Sequence, residues 1–149
     1  MRLFLDTNVF VEFVGRRKQF APVSRIIDAI AYAEHSAYIS AGSIYTLTYL
    51  FEQGLKEQEV HKPELTKRLR TLLADVLNLV TIVQLPHVCA EAAIYDVAFT
   101  DIEDSFQYHC AFENRCDVLI TINIKDYENA DQSDLEILTP AAFVDKYLK

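Results

Sequence analysis

A chain of 149 residues, 51% of them hydrophobic, is long enough for one domain with a single sizeable core. No apolar run approaches the roughly 18 residues that a membrane-spanning helix needs, and the N-terminus does not predict a signal peptide, so we expect a soluble, intracellular protein. The net charge of −8 argues against a protein that coats nucleic acid through Lys and Arg, but not against an enzyme that contacts nucleic acid locally.

The three cysteines, Cys89, Cys110 and Cys116, are an odd number without a repeating spacing, so no disulfide framework is predicted. His87 and His109 lie close to cysteines in the sequence. Their spacings, however, match no common zinc motif. Ordinary buried cysteines are therefore favoured over a zinc site.

Short apolar strands and amphipathic helices alternate along the chain. The predicted strands are 2–5, 37–40, 79–83, 118–121 and 135–138. After the first helix, which begins near Thr7, the predicted helices carry apolar stripes within 23–30, 44–54, 63–77, 86–97, 102–114 and 140–147. Strands separated by helices imply βαβ crossovers, so the predicted fold is a three-layer α/β/α domain with a mostly parallel sheet of about five strands.

The first strand ends on an acid, Asp6, followed by Thr7 and Asn8, which suit the start of a helix. In open α/β sheets, sites form outside the carboxyl ends of strands, where loops meet helix N-termini. Asp6 is therefore a candidate functional residue. The alternative is that it only caps the first helix.

Two further polar groups occur late in the chain. Asp101 and Asp104 lie one turn apart at the start of a predicted helix, while Asn123 and Asp126 follow the strand 118–121. Each group also has a structural interpretation, as acids that complement a helix dipole or as a polar loop. Because parallel strands end at one edge of the sheet, we expect Asp6, Asp104 and Asp126 to converge there.

Carboxylates that crowd together repel one another and raise each other's pKa, and a hard divalent cation relieves this repulsion. Oxygen ligands favour Mg²⁺ or Mn²⁺ over zinc. Such an ion can activate water and stabilise the leaving oxygen in phosphodiester hydrolysis. The sequence has no P-loop, no G-x-G-x-x-G motif and no Ser-His-Asp order that would support other common chemistries.

Taken in chain order, these motifs resemble those of the PIN domain, the fold of the VapC-type ribonuclease toxins. The resemblance predicts a single domain over residues 1–149. The matching segments are Leu3–Asn8, Asp104–His109, Val118–Tyr127 and Ile137–Phe143.

The resemblance implies a metal-dependent endoribonuclease that uses Mg²⁺ or Mn²⁺, with Asp6 and Asp104 as principal ligands. Asp126 and Asn123 would complete the catalytic site through water or the ion. It further implies a cytoplasmic toxin, a cognate antitoxin that blocks the site, and a homodimer.

One position departs from the family pattern. PIN domains usually carry a Glu on the helix after the second strand, where this chain has Thr46. A hydroxyl is a poor substitute for a carboxylate ligand, so we expect Asp101 to replace the missing acid, with Glu12 as a weaker candidate. If neither reaches the ion, metal affinity should be low and catalysis slow or absent.

The departure keeps an alternative function open, namely a degenerate, non-catalytic domain that binds RNA or a protein partner. A phosphotransfer domain with Asp6 as nucleophile is less favoured, because Asn8 stands where such folds need a second acid. Tyr45 and Tyr49 are candidates for base stacking or for ordinary packing. The basic residues favour a solvated surface over RNA contacts; they are Arg16, Arg17, Lys18, Lys62, Lys67, Arg68 and Arg70.

Overall fold

The computed structural model describes residues 1–149 and contains one five-stranded, entirely parallel sheet. The strands are β1 (Arg2–Leu5), β2 (Ser36–Ser40), β3 (Thr81–Val83), β4 (Val118–Ile120) and β5 (Glu136–Leu138). The helices are α1 (Thr7–Val14), α2 (Phe20–Ala31), α3 (Ala41–Glu57), α4 (Glu64–Leu79), α5 (His87–Tyr95), α6 (Ile102–Glu113) and α7 (Pro140–Tyr147). A short 3-10 helix, Ile124–Tyr127, follows β4.

The strand order β3-β2-β1-β4-β5 places β1 at the centre of the sheet. From β1 the chain builds outward through β2 to β3, and then returns to the other side of β1 for β4 and β5. The order therefore reverses between β1 and β4. In open α/β sheets the crevice outside the carboxyl ends of two such strands is the usual position of a site.

Successive residues of the central strand face opposite sides of the sheet, as a pleated strand requires. Leu3 and Leu5 belong to the larger apolar core, whereas Phe4 belongs to a second core that includes Tyr108 of α6 and Tyr127. The same alternation directs the next residue, Asp6, towards the side of the sheet that α6 covers. The predicted three-layer α/β/α fold is confirmed.

Several element boundaries differ from the sequence-based prediction. Helix α3 continues past Gly54 to Glu57, because the burial of Leu55, which is 8% exposed, outweighs the roughly 1 kcal/mol cost of a helical glycine. Leu79 is the last residue of α4 instead of the first residue of a strand, and β3 begins only at Thr81.

Helix α5 ends at Tyr95, short of the predicted end at Val97. Asp96 stops the helix, since its extended backbone leaves the helical region and its Oδ1 accepts a hydrogen bond from the Ala98 backbone N–H at 3.0 Å. Val97 is consequently 98% exposed. None of the helices is both long enough and apolar enough to cross a membrane.

Candidate active site

Asp6 occupies the N-cap position of α1, yet its carboxylate makes no capping hydrogen bond to that helix. The residue is only 2% exposed. Its backbone N–H donates to the carbonyl of Ile120 at 3.0 Å, which extends the β1–β4 ladder by one residue. The carboxylate therefore lies in the crevice where the strand order reverses, and other side chains hold it there.

The Oδ2 atom of Asp6 accepts hydrogen bonds from side chains that follow β1 and β4. The Thr121 hydroxyl donates at 2.7 Å, the Asn8 side-chain amide at 3.1 Å and the Tyr127 hydroxyl at 3.4 Å. Asn8 also accepts from the backbone N–H of Ile122 at 3.1 Å, so it links the two loops. This side of the carboxylate is fixed by the loops themselves.

The Oδ1 atom of Asp6 accepts a hydrogen bond from Gln107 Nε2 at 2.9 Å and a longer one from the Thr7 hydroxyl at 3.3 Å. Gln107 is 3% exposed, and its Oε1 is the single buried side-chain polar atom without a hydrogen-bond partner. The unpartnered oxygen belongs to the same amide that contacts Asp6. A bound water or cation beside Asp6 would satisfy this oxygen.

Asp104 lies in the first turn of α6 and is 8% exposed. Its Oδ1 accepts a hydrogen bond from the Tyr127 hydroxyl at 3.3 Å, so one hydroxyl lies between the carboxylates of Asp6 and Asp104. Burial raises the pKa of Tyr127 well above its usual value, with the two negative charges adding to the effect. Tyr127 therefore stays protonated and can donate to either acid.

The pKa of Asp104 is raised to about 7, first by burial and then by the negative charges of Asp6, Asp101 and Asp126. The hydrogen bond from Tyr127 opposes this rise only in part. The structure thus brings three of the predicted acids close enough to act on Asp104. The electrostatics of the cluster favour either a proton or a cation at this position.

Asp101 and Asp126 surround Asp104 in different ways. Asp101 Oδ1 accepts a hydrogen bond from the Asp104 backbone N–H at 3.2 Å, and Asp101 is the N-cap of α6. Asp126, on the 3-10 helix, is half-buried. Asn123 is exposed and forms no side-chain hydrogen bond, although its backbone N–H donates to the Thr121 hydroxyl at 3.1 Å.

Glu12 lies away from these acids. Its Oε2 accepts a hydrogen bond from the Gln19 backbone N–H at 3.0 Å, in the connection between α1 and α2. The carboxylate orders that connection at the far end of α1 from Asp6.

Sequence reasoning overlooked Glu103. Partial loss of hydration raises the pKa of its carboxyl, the negative charges of Asp6 and Asp101 add to this rise, and a hydrogen bond with the Thr46 side chain lowers it. Much of the side chain is nevertheless exposed. Helical spacing could have identified both Glu103 and Gln107, because they lie four residues apart on the face of α6 that meets Asp6.

The oxygen-only donor set matches the chemistry of Mg²⁺ and Mn²⁺. No three of the His, Cys, Asp and Glu side chains are arranged closely enough to surround an ion. Asp6 and Asp104 share the Tyr127 hydroxyl, and the unpartnered Gln107 oxygen belongs to the amide that contacts Asp6. These residues fit a divalent cation that is held by few protein ligands and keeps its own waters.

The cysteines and the exposed tyrosines have simpler environments. Burial raises the pKa of Cys110 to about 12 and that of Cys116 to about 11, so both thiols are protonated at neutral pH. Tyr45 and Tyr49, on α3, are 80% and 61% exposed. Neither tyrosine contributes to the core, and both remain available for surface contacts.

Comparison with known proteins supports the fold and identifies a family. The sequence profile described as "PIN domain" matches residues 2–125. Two solved structures are similar in fold. The first, VapBC2 from Rickettsia felis bound to a DNA fragment from their promoter, has a TM-score of 0.67 at 17% identity and covers 93% of this chain and 98% of that chain. The second, a toxin-antitoxin complex from Klebsiella pneumoniae, has a TM-score of 0.60 at 18% identity and covers 93% and 97%. No curated protein matches the sequence.

Proposed function

Since the chain belongs to the PIN domain family, a family of nucleases in general, we propose that it is a metal-dependent endoribonuclease that hydrolyses RNA phosphodiester bonds. The observation that carries this proposal is the buried pair of Asp6 and Asp104, which share the Tyr127 hydroxyl at 3.4 and 3.3 Å. Two buried acids without a neutralising basic side chain are costly unless a cation joins them. Their position in the crevice between β1 and β4 is the usual position of an active site.

In this proposal Asp6 and Asp104 are the principal ligands of a Mg²⁺ or Mn²⁺ ion, and Asp126, Asp101 and Asn123 complete its surroundings directly or through water. The ion would lower the pKa of a bound water and stabilise charge on the phosphodiester. Thr121 and Gln107 keep the Asp6 carboxylate oriented, while Tyr127 holds the two acids in register. Because Asp104 retains a proton in part of the molecules near neutral pH, proton release accompanies cation binding.

We further propose that the protein is the toxin of a toxin-antitoxin pair, acts in the cytoplasm and forms a homodimer. Its fold is similar to that of proteins in two toxin-antitoxin complexes. The acidic surface, with a net charge of −8, suits a basic antitoxin segment. If this is correct, expression of the protein alone should inhibit growth, and Asp6→Asn should remove the inhibition.

The decisive experiment measures cleavage of a mixed RNA pool with Mg²⁺ or Mn²⁺ by the wild type, Asp104→Asn and the control Asp75→Asn. Asp75 is an exposed residue of α4, so the control removes the same charge elsewhere. We expect cleavage that requires the ion, disappears in Asp104→Asn and persists in Asp75→Asn. Absence of cleavage by the folded wild type with either ion would overturn the proposal.

A second candidate, a non-catalytic domain that binds RNA or a protein, is favoured by one observation, the absence of three acids grouped around a single point. Calorimetry with Mn²⁺ separates the two functions. A binding event in the wild type that vanishes in Asp6→Ala supports the nuclease, whereas the non-catalytic domain requires no ion at Asp6.

A further inference from the structure

Two tyrosines of α3 have no structural role in the fold. The side chains of Tyr45 and Tyr49 are 80% and 61% exposed, and their hydroxyls form no hydrogen bond within the protein. Four other tyrosines do bond through their hydroxyls, namely Tyr38, Tyr108, Tyr127 and Tyr147. Because an aromatic ring stabilises a fold mainly by being buried, these two exposed rings contribute little to the core. They are available to an external partner.

The two rings lie on one face of α3. They are four residues apart, which places their Cβ atoms about 5–6 Å from each other on a helix. The opposite face of α3 packs into the protein through its buried residues, Ser43, Leu47, Phe51 and Leu55. Tyr45 and Tyr49 therefore form a single exposed aromatic ledge.

The ledge lies beside the crevice. In the parallel pairing of β1 with β2, Phe4 lies opposite Tyr38. Two residues further along both strands, Asp6 is level with Ser40, which is the N-cap of α3. Neighbouring strands are about 4.8 Å apart and a helix rises 1.5 Å per residue, so the ledge lies about 8–14 Å along α3 from this point. A chain of nucleotides that enters the crevice can reach both rings.

The charge of this part of α3 suits a nucleic acid. Although the protein has a net charge of −8, residues 41–51 include no charged side chain. The next acid of the helix, Glu52, forms an ion pair with Lys56 at 3.5 Å. A polyanion therefore meets no unpaired carboxylate along the ledge. Aromatic rings accept unpaired bases by stacking, whereas the faces of bases in a duplex are already covered by their neighbours.

We propose that the ledge of Tyr45 and Tyr49 is a stacking platform for unpaired bases of a single-stranded RNA whose backbone enters the crevice at Asp6. This inference rests on the proposed function and names its substrate class. Stacking uses the faces of the rings, which every base can match, so it tolerates different sequences. The platform gives a single strand an advantage over a duplex of the same sequence.

The test measures binding of a fluorescein-labelled, mixed-sequence single-stranded RNA of about 16 nucleotides by fluorescence anisotropy, in EDTA so that no cleavage occurs. The wild type is compared with Tyr45→Ala/Tyr49→Ala, with the ring-retaining Tyr45→Phe/Tyr49→Phe and with the control Tyr32→Ala. Tyr32 is also 80% exposed, but it follows α2 at the opposite edge of the sheet, before β2 begins.

We expect the Ala pair to bind the RNA at least about fivefold more weakly, while the Phe pair and Tyr32→Ala bind like the wild type. The loss should be the same factor at every salt concentration, because no phosphate contact is removed. All variants should unfold at the wild-type temperature, since the replaced rings are exposed.

Three results would overturn the inference. They are wild-type affinity in the Ala pair, an equal loss in Tyr32→Ala, and absence of RNA binding by the wild type. A change in the dimer mass of the Ala pair with unchanged RNA affinity would assign the ledge to a second copy of the chain instead. The proposed function is decided separately, by ion-dependent cleavage of the RNA pool.

Discussion

The ends of β1 and β4 and the first turn of α6 both present acids to the same crevice, but they differ sharply in hydrogen bonding. At the strand ends, the Asp6 carboxylate accepts hydrogen bonds from the side chains of Thr7, Asn8, Gln107, Thr121 and Tyr127. In the helix turn, Asp104 accepts only the long hydrogen bond from Tyr127, at 3.3 Å, and has other acids around it.

The two regions therefore contribute different properties to the site. The surrounding donors hold the Asp6 carboxylate in one orientation before any ligand arrives. Asp104 accepts a single hydrogen bond, and its pKa is raised first by burial and then by the negative charges of Asp6, Asp101 and Asp126. The strand ends therefore supply geometry, whereas the helix turn supplies the negative potential that attracts a cation.

The largest effect should follow from Asp6→Ala, which leaves the buried donors of Gln107 and Thr121 without an acceptor. We expect a loss of about 2–4 kcal/mol in the free energy of unfolding without metal, measured by urea denaturation at neutral pH. The matched substitution Asp104→Ala should cost far less, because it removes a repelled carboxylate. Equal losses of stability in the two variants would show that the two regions do not differ in how they hold their carboxylates.

The next effect is a pH dependence that Asp104 imposes. Its folded-state pKa, about 7, lies above the ordinary 3.8, so the stability associated with its protonated form is present at acidic pH and is lost as pH rises through about 7. Between about pH 4 and pH 8, without metal, the wild type should lose about 1–2 kcal/mol relative to Asp104→Asn, a value reduced for solvent screening at the open side. Parallel pH–stability curves for the two proteins would contradict this assignment.

Tyr127→Phe should sharpen the comparison by removing the one hydroxyl that serves both regions. We expect a loss of about 1 kcal/mol in stability and a further rise in the pKa of Asp104, because the opposing hydrogen bond is gone. The midpoint of the pH–stability curve reports the pKa change. A midpoint that stays in place or moves to lower pH would show that Tyr127 does not act on Asp104.

The smallest effect should come from Asp101→Ser, which keeps a capping oxygen for α6 but removes the carboxylate. Ser and Asp are comparable N-caps, so we expect stability within about 0.5 kcal/mol of the wild type. Asp101→Ala, which removes the cap, should cost about 1 kcal/mol. Equal losses of stability in Asp101→Ser and Asp101→Ala, measured by urea denaturation, would show that Asp101 does not stabilise α6 as its N-cap.

Local sequence patterns predicted most of the fold. The apolar run that ends at Leu5 and the Thr139-Pro140 helix start both lie where expected. The errors at Gly54 and Val97 arose where burial of Leu55 and a side-chain bond of Asp96 overrode local propensity. A single sequence does not contain the distances that decide such competitions.

The sequence indicated candidate acids for the site but not the side chains that hold them in place. Asp6 and Asp126 follow strands and Asp104 lies in the first turn of the helix between them, so the parallel topology predicted that the three could converge at one edge of the sheet. Gln107 and Glu103 were overlooked, because their only signal is a four-residue helical spacing, which many surface residues share. Glu12 was a weaker candidate for the acid that the Thr46 position lacks. Its carboxylate instead accepts a hydrogen bond from the Gln19 backbone N–H and orders the α1–α2 connection.

The sequence by itself determined the alternation of strands and helices, and with it the parallel sheet and the edge at which its acids collect. Hydrophobic periodicity and strand-ending polar residues act over a few residues, so they are visible in the chain. Only the tertiary structure decided which carboxylate is held by many donors and which has few, and that Glu12 lies away from Asp6. Those outcomes depend on contacts between residues about a hundred positions apart, such as Asp6 with Gln107, and on the burial that makes each charge costly.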